Sequence, residues 1–553
     1  MADQVLRPTY SGNPQDSRSL MEQRLNSPAG YALIILMAIS FGLIIGIGGL
    51  LVGALALAAA VGIPFIILFA LNIKVGSFAL FVFAFTILGA KRFVEQVPVG
   101  IILDAVSVSL IFGLMIQMAR TKDYSVLYSS VGIAIGIWVI YNLLQLFNPI
   151  AASRLAWLYT VRSFALITLF YYVVAYAIDD IRFVYVMIGT WIVFGVLGAA
   201  YAYVQEYVGL RGFEFAWLAA DEEMFFRLFQ MGVIRKWSFF SDPMVFGFIM
   251  SYTAIACAIL ALGPYPRWVR FLLIVSIAPL LHSMLFSGTR AAYVLPPAAA
   301  AFYVLTRLSL KSVVAGAILG AALLFLINME TDNTLILRFQ TAFAPEDDAS
   351  FEVRQENLAF IKPFIQSNPL GGGLGSTGMW GQRFSPDSPL SQFPPDSGFV
   401  RIAVEVGWVG LVIYTVFLLL ALYWGVRHYF YMRDPRLKNI QLAMLIVVIS
   451  LIVANFPQEA ITSPPNNVVF LFAVAVITSL YKLDPLYGGV PMSPKEIKED
   501  EDRELKKKSP SVGLMPPEFT DKIETTKTTL SNEAATMVIE PTKKIDTTYR
   551  KLR

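Results

Sequence analysis

Arg235, the tetrapeptide Ser287-Gly288-Thr289-Arg290 and the stretch from Asp396 to Gly407 (DSGFVRIAVEVG) carry the side chains best suited to chemistry in this sequence. An arginine fork presents fixed donors that match the oxygens of a phosphate two at a time. Ionisable groups kept beside apolar membrane runs are expensive and mark functional cavities. Several arginines gathered on one side of a membrane therefore point to an anionic ligand, a lipid-linked phosphate at the bilayer surface. Two more arginines belong with the set. Arg162 lies about two turns inside an apolar run. Arg354 lies on the apolar face of a helix expected over 351–365, with Phe351, Leu358, Ile361 and Ile365. Ser350 is its expected N-cap and Pro363 is expected to kink its end. An ion pair between Arg354 and a glutamate is the plainer reading of that arginine.

What positions these groups is a membrane scaffold. The 553 residues are 56% hydrophobic and 15% charged, with a mean hydropathy of +0.63, whereas a soluble domain carries about 25% charged residues. The lone Cys257 excludes a disulfide framework and offers no metal cluster. A net charge of +4 gives no reason to expect a nucleic-acid partner. Crossing the hydrocarbon takes about 20 apolar residues. Such runs occur at 30–49, 52–72, 75–90, 100–118, 124–146, 155–178, 183–206, 243–262, 268–286, 290–307, 311–328, 398–424, 438–456 and 466–481. The expected fold is all-α, a polytopic membrane protein of about 12–14 transmembrane helices.

Orientation follows from the placement of Lys and Arg. With a cytoplasmic N-terminus, the short inner segments hold Lys74, Arg120, Lys122, Arg182, Arg267, Arg270, Arg307, Lys311, Arg427, Arg433, Arg436 and Lys438. The short outer ones hold only Lys91, Arg92, Arg154 and Arg290. Both termini are then cytoplasmic, and the long loops 207–242 and 329–397 face outward, where function is expected. Residues 1–29 form a polar cytoplasmic segment without a cleavable signal, and 30–481 form the membrane domain. Residues 482–553, rich in Lys, Glu, Thr and Pro, are expected to be a disordered cytoplasmic tail.

Asp104, Arg162, His282 and Arg290 all fall toward the outer leaflet. A transporter more often places its charges at mid-depth beside broken helices, so this distribution favours an outward-open active site over an exporter of polysaccharide or lipid without bond-forming chemistry. Asp242 and Pro243 suit a helix start immediately after the loop that carries Arg235. The run Gly371 to Gly375 lets backbone approach phosphate or sugar, or serves as a flexible turn. It is not a Walker loop, because no Gly-Lys-Ser/Thr follows. The only Asp-x-Asp pair, Asp500 to Asp502, lies in the tail, so neither a metal nor another cofactor is expected.

Three segments, VIRKWSFFSDPMVFGFIM (233–250), HSMLFSGTRAAY (282–293) and FEVRQENLAFIKPFIQSNPLGGGLGSTG (351–378) followed by DSGFVRIAVEVGWVGLVIY (396–414), resemble the O-antigen ligase and O-antigen polymerase superfamily of bacterial membrane glycosyltransferases. The resemblance spans residues 30–481. The family's Ser-x-Ser-Arg turn falls on Ser287 to Arg290, with Thr289 for the second serine, and its loop arginine falls on Arg235. Its Arg…Asn-Pro-Leu…Gly-x-Gly element falls on Arg354, Asn368 to Leu370, Gly373 and Gly375. Its His-Asn pair falls on Asp396 and Ser397, the main departure.

The resemblance implies a metal-independent, inverting transfer of glycan from an undecaprenyl-pyrophosphate-linked donor to a growing glycan or a lipid-core acceptor. The place would be the outer face of the bacterial cytoplasmic membrane, with other polysaccharide-assembly proteins as partners. Arg235, Arg290, Arg354, Arg162, Ser287, Gly373 and Gly375 would bind substrate. Whether the general base is Asp396, another group or none is left open, because a carboxylate accepts a proton but cannot act as an imidazolium.

Overall fold

The computed structural model describes residues 62–90, 92, 100–220, 222–230, 232–343 and 349–488, together with Ala32, Ile35 and Ala60. The expected N-terminal segment, nearly all of the run 30–49, residues 52–59 and 61 of the run 52–72 and the tail beyond Gly488 lie outside the described residues. Nearly all the rest is helix. Beside a short apolar helix at Gly62–Leu71 and a single turn at Ser125–Tyr128, the helices in chain order are α1 (Ile73–Ala90), α2 (Gly100–Thr121), α3 (Ser130–Leu144), α4 (Arg154–Val161), α5 (Phe170–Ala177) and α6 (Ile181–Tyr203). There follow α7 (Gly212–Ala219), α8 (Glu222–Leu228), α9 (Pro243–Leu260), α10 (Arg267–Phe286), α11 (Arg290–Arg307), α12 (Leu310–Asn328) and α13 (Thr334–Thr341). Last come α14 (Ala349–Ser367), α15 (Gly378–Phe384), α16 (Gly398–Glu405), α17 (Gly407–Tyr431), α18 (Pro435–Ala454) and α19 (Asn466–Ser479). The one sheet among the described residues is a hairpin of β1 (Phe229–Gln230) and β2 (Val233–Ile234).

Ten helical stretches among the described residues are long and apolar enough to cross a membrane, and the chain is an all-α polytopic membrane protein. Helices α9, α18 and α19 are predominantly apolar, bury most of their surface and form the centre. Helix α12, by contrast, turns nearly all of its surface outward. Polar side chains inside the bundle serve as staples, since an unpaired donor in an apolar interior is costly. Gln441 on α18 donates to the carbonyl of Gly425 on α17 at 3.0 Å and of Ile477 on α19 at 2.8 Å. The indole N–H of Trp191 donates to Thr253 Oγ1 at 2.8 Å, joining α6 to α9.

Several expected spans divide differently. The run 155–178 is not one regular helix: α4 passes through a π-helical turn at Arg162–Leu166 and a 3-10 turn at Ile167–Leu169 before α5 begins. The run 398–424 breaks between α16 and α17, because Gly407 takes φ +75° and the carbonyl of Pro369 stands 2.0 Å from where its Cβ would be. Helix α11 forms over 290–307, but terminal arginines and the Pro296-Pro297 pair leave it outside the ten apolar spans. Helix α14 starts at Ala349, so Ser350 lies inside it rather than capping it, and it runs through Pro363 to Ser367. Packing also continues past 481: the Tyr487 hydroxyl meets His428 Nδ1 at 2.6 Å, and Asp484 accepts from the Arg433 N–H at 2.6 Å.

Candidate functional site: a row of arginines ending at a carboxylate

The site is organised around the turn from α10 to α11. Ser287 Oγ donates to the carbonyl of Met284 at 2.7 Å and accepts from the N–H of Thr289 at 3.1 Å, fixing the turn from within. Gly288 takes φ +60°, and a Cβ there would stand 3.2 Å from both Cγ and Nε of Arg235. The missing side chain lets Arg235 lie across the turn. Its Nε donates to the Ser287 carbonyl at 2.8 Å and its Nη2 to Thr289 Oγ1 at 3.0 Å. Thr289 Oγ1 also donates to the carbonyl of Pro243 at 3.2 Å, joining the turn to the start of α9. That start is built as the sequence implied, with Asp242 accepting from the N–H of Val245 at 2.9 Å and Pro243 in the first turn.

Arg235 reaches the turn because the segment before α9 is fastened at several points. The β1–β2 hairpin pairs Phe229 with Ile234, and the Arg235 N–H continues it to the Leu228 carbonyl at 2.9 Å. Lys236 donates its N–H to the Phe286 carbonyl at 2.9 Å and pairs with Glu206 at 3.3 Å. Beneath it, Arg92 sits over the rings of Trp217 at 4.7 Å and Trp237 at 5.2 Å and donates to the carbonyls of Ser238, Phe240 and Ser241. Burial pushes the Arg92 guanidinium down to about 10, against the opposing pull of Glu214 and Asp242.

Four arginines and one aspartate form a row at this end of the bundle. Burial holds the Arg235 guanidinium below its ordinary value; the charges of Arg338 and Arg290 push the same way, while Asp242 and Tyr293 oppose them. Arg290 in turn feels the positive charge of Arg354. Arg354 Nε lies 3.9 Å from Asp396 Oδ2, both half-exposed, so the glutamate partner considered for Arg354 is replaced by this aspartate. Asp396 does not cap the next helix. Ser397 does, accepting from the N–H of Val400 at 3.4 Å, and this leaves the Asp396 carboxylate facing Arg354.

The glycine run has a different part from the one expected. Gly372 donates its N–H to the Val404 carbonyl at 2.8 Å and Gly373 to the Glu405 carbonyl at 2.9 Å. Gly375 donates to Glu405 Oε2 at 2.9 Å, and the Thr377 hydroxyl to Oε1 at 2.6 Å. The amides of Gly373 and Gly375 are therefore taken by α16 instead of facing a phosphate. At Gly375 a Cβ would meet Thr160 Oγ1 at 2.4 Å, so its bareness serves the packing of the loop on α4. Glu405 also pairs with Arg401 at 3.1 Å, and Arg401 reaches Glu459 at 2.6 Å.

Arg162 belongs to another set of contacts. It pairs with Asp104 across to α2 at 2.8 Å and lies over the Tyr159 ring at 5.6 Å, which gives that arginine its ion-pairing role. His282 Nδ1 meets the Tyr203 hydroxyl at 2.7 Å among the rings of Tyr203 and Phe286. Among the described residues, no group of three or more His, Cys, Asp or Glu side chains converges as a metal centre would require. An apolar cavity of about 350 Å³ opens between α10, α11, α12 and α13, with Tyr293, Ile336 and Phe339 in its wall. Leu281, Pro296 and Leu319 line both it and a second apolar cavity of about 290 Å³.

Sequence reasoning missed Arg338, Arg401, Glu405 and Glu459 as working parts. For Arg338 a signal existed: in TLILRFQT it sits three residues after Leu335 and next to Phe339, on the inward face of an amphipathic helix.

Residues 275–415 match the family model described as O-antigen ligase, a stretch that takes in Ser287 to Arg290, Arg338, Arg354, the glycine run, Asp396 and Glu405. No curated protein matches the chain. This matching region, set on an all-α membrane scaffold, supports a likeness of the chain to the O-antigen ligase and polymerase superfamily.

Proposed function

We propose that the protein transfers glycan from a polyprenyl-pyrophosphate-linked donor to an acceptor hydroxyl at the outer face of the bacterial cytoplasmic membrane. The observation that carries this reading is the convergence of Arg235, Arg290 and Arg354, from three separate segments, in a row that ends at Asp396. The arginine forks hold the pyrophosphate and neutralise the charge it gains on leaving. Asp396 takes the proton of the acceptor hydroxyl, whose oxygen bonds to the anomeric carbon as the bond from that carbon to the pyrophosphate breaks, with inversion. No metal enters these steps. The apolar cavity beside the row suits the carrier's hydrocarbon chain. Both termini are cytoplasmic in this reading, and the acceptor is a glycan or a lipid core.

The test is cell-free turnover of a defined lipid-linked donor by the purified protein in liposomes. The wild type should release polyprenyl pyrophosphate and lengthen or attach the glycan. Arg290→Ala should lose about 10²–10³-fold in turnover, the usual cost of removing one such donor. Near-normal turnover by Arg290→Ala would remove the core of the proposal. Movement of intact lipid-linked glycan across the bilayer without bond formation would favour an exporter.

A further inference from the structure

Among the described residues, Arg338 shares with Arg92 and Arg235 a buried guanidinium whose hydrogen bonds go to neutral groups. It is 6% exposed, yet the hydrogen bond it makes goes to a neutral backbone carbonyl, that of Gln230 in β1. Arg401, largely enclosed, has Glu405 and Glu459 instead, and Lys236 has Glu206. Besides the Tyr293 phenol, the neighbour Arg338 acts on is another cation, Arg235, whose guanidinium it pushes toward the neutral form. A buried charge is tolerated when it is paired. Two crowded guanidinium groups supply a reason for an anion, not a replacement for one.

Geometry says where along the row that anion lies. Arg338 docks on β1, the strand paired with the one that leads into Arg235, so it stands at the Arg235 end. The next residue, Phe339, packs on Tyr293 at 5.8 Å between ring centres, and both line the apolar cavity together with Ile336. Helix α13 thus offers a cation and an apolar wall at one place. The opposite end of the row is Arg354 and the Asp396 carboxylate, where a proton can be accepted. Polar chemistry at one end and hydrocarbon at the other define a direction.

We propose that Arg338 is a further substrate-binding residue that grips the lipid-proximal phosphate of the donor, so that the carrier runs from the cavity past Arg338 and Arg235 to its second phosphate at Arg290 and Arg354. This rests on the reading above, and deepens it by giving each phosphate its own cations. A polyprenyl monophosphate has only the lipid-proximal phosphate, so it reaches Arg338 without reaching Arg290.

The experiment measures the affinity of the purified full-length protein for polyprenyl monophosphate and for polyprenyl pyrophosphate, both without sugar. Arg338→Gln should weaken both ligands by a similar factor, about tenfold to a hundredfold for one charge-assisted contact. Arg290→Gln should weaken the pyrophosphate by a comparable factor and leave the monophosphate unchanged. Arg338→Lys keeps the charge inside the fold; its affinity for both ligands should fall together, by less than in Arg338→Gln. It decides the matter if Arg338→Gln does not fold. Unchanged monophosphate binding in a folded Arg338 variant, with pyrophosphate binding still lost in Arg290→Gln, would overturn this assignment alone. A wild type that binds neither ligand, or Arg290→Gln that binds both normally, would overturn the donor reading itself.

Discussion

Glu405 accepts the backbone N–H of Gly375 on one carboxylate oxygen at 2.9 Å, so the short helix α16, which immediately precedes the span α17, holds the loop that follows Arg354. Its other oxygen takes Thr377 and Arg401, and it is 1% exposed. Removing one member of a buried ionic network leaves the others uncompensated, at a cost of roughly 3–5 kcal/mol. Glu405→Ala should therefore lower the melting temperature of the detergent-solubilised protein clearly. Arg383→Ala, at an exposed position on α15, should leave it within a degree or two of wild type. Equal melting of the two variants would show that the loop is held by something else.

Asp396→Asn separates proton acceptance from structure. Ser397 caps α16, so the asparagine should melt like wild type. General-base assistance contributes about 10²–10⁴-fold, and turnover should fall by that order in single-turnover assays with saturating donor. Asp396→His should restore part of the rate, since imidazole accepts a proton equally well. Full activity of the asparagine variant would take the base away from this position.

Gly288→Ala tests the seat of Arg235 without touching a charged group. The new methyl would stand 3.2 Å from the Arg235 stem at a residue with φ +60°. Left-handed backbone costs a non-glycine residue about 1–2 kcal/mol, a modest loss for the whole fold. Displacing the guanidinium should matter more: donor affinity is expected to fall about tenfold while the protein still reaches the membrane. Unaltered affinity with normal expression would mean that Arg235 does not need this turn.

Membrane orientation can be checked with a thiol reagent that does not cross the bilayer. Cys257 is fully buried on α9, so the native chain should label weakly. Gln382→Cys, exposed on α15, should label in intact cells, whereas Ser511→Cys should label only after the membrane is opened. The reverse pattern would invert the topology drawn from Lys and Arg placement.

The cations that converge were largely readable from residue type and position: Arg290 opens α11, Arg354 lies on α14, and Arg235 lies in the segment that leads into α9. Helix existence was equally plain, because apolar runs of span length have few other solutions in lipid. Breaks within those runs were not. The π-helical turn at Arg162 and the stop at Gly407 depend on what packs there, Asp104 in one case and the Pro369 carbonyl in the other. The partners of the glycines were hidden for the same reason, since Gly375 and Glu405 are thirty residues apart and meet only through the fold. Depth alone marked Arg162 as a functional or ion-pairing arginine, but not its partner, because Asp104 lies 58 positions away.

The grip of Ser287 on Arg235 runs through a main-chain carbonyl, and it has an evolutionary consequence. A carbonyl is present whatever side chain its residue bears, so substitution at 287 can leave the contact with Arg235 untouched. What restrains position 287 is its full burial together with its hydroxyl, which bonds the Met284 carbonyl and the Thr289 N–H, so only small residues fit and few of them keep the turn. Position 288 is restrained by backbone conformation instead, and position 235 by charge. Among related sequences, drift should be confined to small side chains at 287, be slight at 288 and be absent at 235.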